Sequence, residues 1–131
     1  MKYYVAAKFE DRARAKQVID ALIAAGHTVT YDWTQCIQCS VEQAQLDKDG
    51  VMAADALVFL AGWKIRDLPY LGALVEFGIA VARGIPIYLL GDSIDLRIPK
   101  HGPPTGCIFT VLPEVIHTTV EEFLKGLEGL A

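Results

Sequence analysis

The chain has 131 residues, a size that fits one domain and supports one hydrophobic core. Hydrophobic residues make up 53% and charged residues 21% of it, which is typical of a folded globular protein and excludes a disordered one. The net charge of -4 leaves no basic face for a nucleic-acid polymer, but it does not exclude a single nucleotide as a ligand.

The start of the chain and its apolar stretches bear on cellular location. Met1–Val5 leads directly into a strand pattern and lacks the apolar core and cleavage site of a signal peptide. No apolar stretch reaches the roughly 18 residues of a membrane helix without a charge or a proline. We therefore expect a cytoplasmic protein that contacts no membrane.

Strand and helix patterns alternate from the first residues onward, without a repeat or a linker. Tyr3–Ala7 is a short apolar strand, and Gly26 ends the helix that follows it. That helix is predicted over Phe9–Ala25, with apolar residues at helical spacing: Ala15, Val18, Ile19 and Leu22. The next segment, His27–Tyr31, alternates Val with Thr and predicts a second strand.

Three further helices and three further strands follow. Ser40 begins a helix and has Gln43 three residues later as its capping-box partner. Ala56–Leu60 is apolar throughout, as expected of a central parallel strand. The remaining predicted elements are a helix over Pro69–Arg83, strands over Ile85–Leu90 and Cys107–Val111, and a last helix over Thr118–Leu127.

This alternation predicts a single α/β domain over residues 1–131, with a flavodoxin- or Rossmann-like five-stranded parallel sheet and helices on both faces. Ligand sites of such sheets lie at the carboxyl ends of the strands, near the switch in strand order. We expect three segments to meet there: the loop after the first strand, the start of the Ser40 helix with Trp33, and the start of the helix that carries Glu76.

Glu76 is the only charged residue between Gly72 and Ala82. A carboxylate buried in an apolar helix costs several kcal/mol unless it is compensated. A helix N-terminus favours the charged form, and an ionised, poorly solvated carboxylate is a competent nucleophile toward an oxocarbenium-like carbon. The alternative is a structural glutamate whose hydrogen bonds are satisfied by the backbone or by a tyrosine.

Asp47 is the second candidate for chemistry. At 100° per residue it shares a helix face with Ala44, Val51 and Ala54, whereas Asp49 points the opposite way. A carboxyl near Glu76 would serve as a general acid. The alternative is a surface aspartate at the edge of the apolar stripe.

Other side chains near the expected site have weaker signals. The Tyr4 hydroxyl can reach a neighbouring group, although strand tyrosines are mostly packing residues. Trp33 and Trp63 lie in loops, where aromatic rings sandwich a nucleobase or simply pack. Lys8 and Arg12 flank the start of the first helix, a position favourable to a phosphate. No glycine-rich phosphate loop is present.

Cys36 and Cys39 form a Cys-x-x-Cys pair, and Cys107 is the third cysteine. A structural zinc site needs four ligands, and no second Cys or His pair with suitable spacing follows. A thioredoxin-like motif would follow the first strand, not the second. We therefore expect two reduced, partly buried thiols in a loop and no bound metal.

Taken together, these residues resemble the nucleoside 2-deoxyribosyltransferase family, and the resemblance covers nearly the whole chain. The main match spans the helix of Glu76 and the strand after it. Weaker matches are the strand of Tyr4 with its loop, and Asp47 ahead of the next strand. The matching segments are Gly72-x-x-x-Glu76-x-Gly78-x-Ala80-x-Ala82-x-Gly84-x-Pro86, Tyr4-Val-Ala-Ala7 with Phe9-x-Asp11-Arg12, and Asp47 before Ala54-Asp55.

The resemblance implies a mechanism in which Glu76 attacks the anomeric carbon and carries a deoxyribosyl group. Tyr4 would orient Glu76, and Asp47 would assist the leaving base. The substrate would be a small-molecule nucleoside or nucleotide, with no cofactor, and the enzyme a homo-oligomer, a dimer or larger. Candidate substrate contacts are Ala7, Lys8, Phe9, Trp33, Trp63, Tyr70 and Gly72.

Two departures from the family pattern leave the substrate open. Tyr70 stands where transferases carry an acid and related nucleoside 5'-monophosphate hydrolases carry a serine. Lys8 stands where those hydrolases have a small hydroxyl residue. Three functions are therefore carried forward: N-glycosidic cleavage with transfer to a base or to water, strict hydrolysis of a nucleoside 5'-monophosphate, and nucleotide binding without catalysis.

Overall fold

The computed structural model describes residues 1–35, 40–61, 71–91, 109 and 112–128, in which strands and helices alternate. The strands are β1 (Lys2–Ala6), β2 (Thr28–Val29), β3 (Ala56–Leu60), β4 (Ile87–Gly91) and β5 (Val115–Thr119). The helices of more than one turn are α1 (Arg12–Ala24), α2 (Val41–Ala53), α3 (Leu71–Arg83) and α4 (Val120–Glu128).

The described strands form one parallel sheet in the order β2-β1-β3-β4-β5. This is the flavodoxin-like order, with its switch point between β1 and β3. Tyr4 of β1 pairs with Leu57 of β3, and Leu57 pairs with Ile87 of β4. The predicted five-stranded parallel α/β fold is confirmed.

Successive residues of β1 face opposite sides of the sheet. On one side, the Tyr3 ring packs edge-on against Phe123 of α4, with ring centroids 6.3 Å apart. On the other side, Tyr4 is fully buried and its ring lies against Gly50 of α2. Helices α1 and α4 pack together on the first side, and α2 and α3 pack together on the second.

The predicted core residues of the first helix are confirmed. Ala15, Val18, Ile19 and Leu22 are buried on one face of α1. The predicted helix over Phe9–Ala25 consists of a single 3-10 turn at Phe9–Asp11 followed by α1. Gly26 ends α1 with φ 89, a left-handed conformation that favours glycine.

The fifth strand was predicted at the wrong place. It is Val115–Thr119, later in the chain than the predicted Cys107–Val111, of which only Phe109 lies within the described residues. An edge strand pairs on one side only and tolerates polar residues, so its sequence need not be apolar throughout. In β5 only Val115 is buried. The strand was therefore predicted in the more apolar segment Cys107–Val111 that precedes it.

Several expectations fall on residues outside the described ranges. These residues are Cys36, Cys39, Trp63, Tyr70 and Cys107. Among the helices that the structure does describe, none combines the length and the apolar character that a membrane crossing requires.

Candidate active site

Tyr4 is placed by a close approach between β1 and α2. A Cβ atom at Gly50 of α2 would lie 2.9 Å from two carbons of the Tyr4 ring and 3.0 Å from Cβ of Tyr31. No larger residue fits there unless these neighbours move. Gly50 therefore lets the Tyr4 ring lie flush against α2, with its hydroxyl directed between α2 and α3.

The Tyr4 hydroxyl donates a hydrogen bond to Oε2 of Glu76. Glu76 is partly buried in the second turn of α3, which packs its buried residues Ala73, Phe77 and Ala80 against the sheet. Tyr4 of β1 therefore contacts the Glu76 carboxyl on the side of the sheet that α2 and α3 cover. The structure brings together the predicted pair of Tyr4 and Glu76.

Burial raises the pKa of Glu76 to about 8, the hydrogen bond from Tyr4 opposes this shift, and the nearby Asp47 carboxyl adds to it. The expectation that the helix N-terminus would keep Glu76 ionised is not met. Glu76 lies beyond the first turn of α3, where the helix dipole has little effect, and loss of solvent dominates. The surroundings of this carboxyl therefore favour its protonated form more than water does.

Asp47 lies on the inward face of α2, as predicted, and Asp49 is exposed. Ala44, which the periodicity assigned to the inward face, is also exposed; Gln43 lies there instead. Burial raises the pKa of Asp47, and hydrogen bonds with Gln43 and then Tyr4 oppose the shift. Asp47 thus lies close enough to Tyr4 and Glu76 to influence the pKa of each.

The Tyr4 hydroxyl keeps its own proton under all ordinary conditions. Burial is the main cause that raises its pKa, and the neighbouring carboxyls of Glu76 and Asp47 raise it further. Tyr4 is thus a hydrogen-bond donor and not a base. It can hold the orientation of Glu76 and stabilise its negative charge.

The loop after β1 carries three of the candidate substrate contacts. Ala7 and Lys8 are buried, whereas Phe9 is 47% exposed. The Arg12 guanidinium lies over the Phe9 ring, 4.7 Å from its centroid. These residues follow the carboxyl end of β1, where the fold places ligands. Their contact with a substrate stays a prediction.

Trp33 and Gly72 are the other candidate substrate contacts within the described residues. Trp33 is buried, and its indole N–H donates to the Val5 carbonyl at 2.6 Å. This bond ties Trp33 to the end of β1, so stacking on a base would involve only the small exposed part of the ring. Gly72 is exposed in the first turn of α3.

Sequence reasoning missed the residues that surround Asp47. Gln43 was interpreted as a capping partner of Ser40, and its backbone N–H does donate to Ser40 Oγ at 3.1 Å. Its side chain, however, donates to Asp47 Oδ1 at 2.9 Å and accepts from the Tyr31 hydroxyl at 3.0 Å. The spacing of four residues between Gln43 and Asp47 is the signal that would have found this contact.

Within the described ranges, no group of three or more His, Cys, Asp or Glu side chains is arranged to hold a metal ion. Instead, the Glu76 carboxyl accepts a hydrogen bond from the Tyr4 hydroxyl, and the Asp47 carboxyl lies nearby. Such an arrangement suits proton transfer and covalent catalysis by the side chains themselves.

The comparisons with known proteins concern the fold. No protein-family model and no curated protein sequence matches the chain. Among solved structures, the CMP N-glycosidase BcmB of Clostridium botulinum is similar, with a TM-score of 0.65 and 21% identity over 100% of both chains. A 2-deoxyribosyltransferase of Bacillus psychrosaccharolyticus has a TM-score of 0.50 and 24% identity, covering 70% of this chain and 72% of its own. The chain therefore shares the fold of nucleoside deoxyribosyltransferase-like enzymes, as the sequence resemblance predicted.

Proposed function

We propose that the protein cleaves the N-glycosidic bond of a nucleoside or nucleotide through a glycosyl intermediate on Glu76. The observation that carries this proposal is the hydrogen bond from the Tyr4 hydroxyl to Glu76, with the Asp47 carboxyl nearby. Two carboxyls with raised pKa values in one site are typical of acid–base and nucleophilic catalysis at a sugar carbon. The fold shared with an N-glycosidase and a deoxyribosyltransferase supports the same conclusion.

In the first step, a carboxylate oxygen of Glu76 bonds to C1' as the bond between C1' and the base nitrogen breaks. The bonding electron pair leaves with the base, and the proton of Asp47 neutralises it. In the second step, an incoming base or water attacks C1', transfers its proton to the Asp47 carboxylate, and frees Glu76. Each cycle therefore restores both carboxyls.

The reaction needs an ionised Glu76 and a protonated Asp47. The two carboxyls influence each other, so their protons dissociate as a coupled pair. Tyr4 favours the required state because its hydroxyl stabilises the Glu76 anion. The ionised fraction of Glu76 increases as the pH rises toward about 8, while the protonated fraction of Asp47 decreases, so turnover should pass through a maximum with pH.

Strict hydrolysis of a nucleoside 5'-monophosphate is the second candidate. Lys8 is 5% exposed and lies at the carboxyl edge of the sheet, beside the 3-10 turn that precedes α1. A phosphate would be attracted to such a position. One of the similar structures is an N-glycosidase named for a nucleoside monophosphate, which supports the same alternative.

We further infer that the enzyme works in the cytoplasm as a homo-oligomer. The support is the high hydrophobic content of a short chain and the exposure of Val75 and Leu74 on α3 beside Glu76. Sedimentation at tens of micromolar tests the assembly, and a purely monomeric profile would contradict it.

A product assay separates the three functions. Purified protein is first screened by thermal shift against nucleosides and nucleoside 5'-monophosphates, and each stabilising ligand is then incubated with and without a second base. Transfer gives a new nucleoside, hydrolysis gives free base and sugar, and binding without catalysis gives a thermal shift with no product. The last result, obtained across all stabilising ligands, would contradict the proposed reaction.

A further inference from the structure

Helix α2 carries two glutamine–aspartate pairs with the same spacing. On the inward face, Gln43 donates to Asp47 at 2.9 Å, and on the exposed face Gln45 donates to Asp49 at 2.8 Å. Within the part of the chain that the structure describes, a third side chain hydrogen-bonds to the inner pair, and none does so to the outer pair. That side chain is Tyr31, whose hydroxyl donates to Oε1 of Gln43.

We propose that Gln43, held by Tyr31, is a positioning residue that fixes the proton-bearing oxygen of Asp47 for transfer to the leaving base. This inference rests on the proposed function. It assigns a role to two residues that do not take part in the chemical steps themselves.

The Gln43 amide has a defined orientation between Tyr31 and Asp47. A glutamine side chain has an acceptor end and a donor end. The Tyr31 hydroxyl occupies the acceptor oxygen, so the amide N–H groups face Asp47. Oδ1 of Asp47 is then an acceptor in the protonated and the ionised form alike. When Asp47 carries its acidic proton, the proton resides on Oδ2.

Gln43 and Tyr31 are each fixed by a further hydrogen bond or by close packing. Gln43 is fixed at the start of α2 by the bond from its backbone N–H to Ser40 Oγ. Tyr31 is fixed against the same helix, because Thr30 Oγ1 donates to the Gly50 carbonyl at 2.7 Å and Gly50 leaves no space beside Tyr31 Cβ. Gln43 and its donor Tyr31 are therefore both held in place against α2.

The hydrogen bond from Gln43 can be detected through the pKa of Asp47. Asp47 is faced by Tyr4 from β1 and by Glu76 from α3. Gln43 contacts it from the same helix, and Tyr31, in the segment after β2, hydrogen-bonds to Gln43. Burial raises the pKa of Asp47, and the Gln43 bond opposes that shift more than the Tyr4 bond does. Removing the Gln43 donor should therefore raise the pKa of Asp47 further.

The test compares Gln43→Met with Gln45→Met. Methionine has nearly the length and the helix propensity of glutamine but donates no hydrogen bond, so both variants should fold. Carboxyl titration by carbon-13 NMR should show a higher midpoint for Asp47 in Gln43→Met and no change in Gln45→Met. In steady-state assays, kcat should fall about 10-fold in Gln43→Met with little change in KM, as expected when general acid catalysis weakens.

A double-mutant cycle tests the part played by Tyr31. Tyr31→Phe alone should lower kcat about 3-fold, and it should have no further effect in the Gln43→Met background, because a relay through one residue is not additive. Additive losses of kcat in the double variant would show that Tyr31 does not act through Gln43.

The outcomes separate this inference from the proposed function. A wild-type protein that releases no base contradicts the function, whereas the Asp47 titration still decides whether Gln43 acts on this carboxyl. An Asp47 midpoint that is the same in wild type and Gln43→Met overturns the inference even if the enzyme is active. Equal kinetic effects of Gln43→Met and Gln45→Met would overturn it as well.

Discussion

Asp47 and Asp49 lie on the same helix, and each accepts a hydrogen bond from the glutamine four residues before it. Asp49 is exposed to solvent. Asp47 faces Tyr4 and Glu76 across the α2–α3 face of the sheet. The spacing of glutamine and aspartate is therefore the same for both, and the difference comes from β1 and α3, which the fold places opposite only Asp47. The candidate acid Asp47 therefore differs from Asp49 because of its tertiary contacts and not because of its position in the helix.

The largest expected effect comes from the carboxyl opposite Asp47. Glu76→Gln should keep the fold and lower kcat on the order of 10³-fold or more, because an amide cannot bond to C1' as a carboxylate does. Steady-state release of free base measures the loss. Activity within a few-fold of wild type would remove Glu76 from the mechanism.

Thermal unfolding provides the folding control for this variant. The pKa of Glu76 is raised from 4.5 to about 8 on folding, so between these pH values the folded chain holds a proton that the unfolded chain releases. This contribution favours the native state at low pH and is lost as the pH rises through about 8. Glu76→Gln lacks this loss and should therefore have a Tm equal to or above that of wild type in alkaline buffer.

The two aspartates of α2 provide the next test. Asp47→Asn should lower turnover about 10²-fold on a substrate with a poor leaving base, because an amide has no acidic proton to transfer. Asp49→Asn should change turnover by less than about 2-fold, since exposed substitutions away from a site have small effects. Similar losses in the two variants would show that the inward face of α2 has no special role.

Tyr4→Phe should have a moderate effect with a distinctive pH dependence. Phenylalanine keeps the ring that packs against Gly50 and loses the hydroxyl that lowers the pKa of Glu76. The acid limb of kcat/KM, which requires ionised Glu76, should shift to higher pH, and the loss of activity at neutral pH should be about 10-fold. A profile that keeps the wild-type midpoint would contradict the role of Tyr4.

The smallest effect concerns packing. Gly50→Ala should destabilise the protein by about 1–3 kcal/mol, because the new methyl group meets the Tyr4 ring and Tyr31. Gly126→Ala in α4 is a matched helix substitution with nothing within 4 Å, and it should stabilise by up to about 1 kcal/mol. Denaturant unfolding compares the two. Equal changes in the free energy of unfolding would mean that α2 and β1 are less closely packed than described.

The positions of strands were best predicted from the sequence where a strand is buried on both faces of the sheet. β3 was predicted with its observed bounds, because all five of its residues are apolar and buried. The edge strand β5 was misplaced, because pairing on one side imposes little on its composition. Local composition therefore predicts the centre of this sheet better than its border.

The same limit applies to the site. Helical periodicity indicated that Asp47 faces inward, and the isolation of Glu76 among apolar residues indicated a special carboxyl. The raised pKa of Glu76 depends on the balance of burial against one hydroxyl, which a sequence does not show. The contact of Gln43 with Tyr31 depends on how closely β1, β2 and α2 approach at Gly50.

The most direct test of the account is the detection of a covalent sugar on Glu76. A 2-fluoro-substituted nucleoside slows release of the intermediate, since the fluorine destabilises the oxocarbenium-like transition state. Intact-mass analysis of wild-type protein should show one added sugar per chain, and peptide mapping should place it on Glu76, with Glu76→Gln remaining unmodified. Rapid release of base from this substrate without any adduct, or an adduct on another residue, would contradict the central claim.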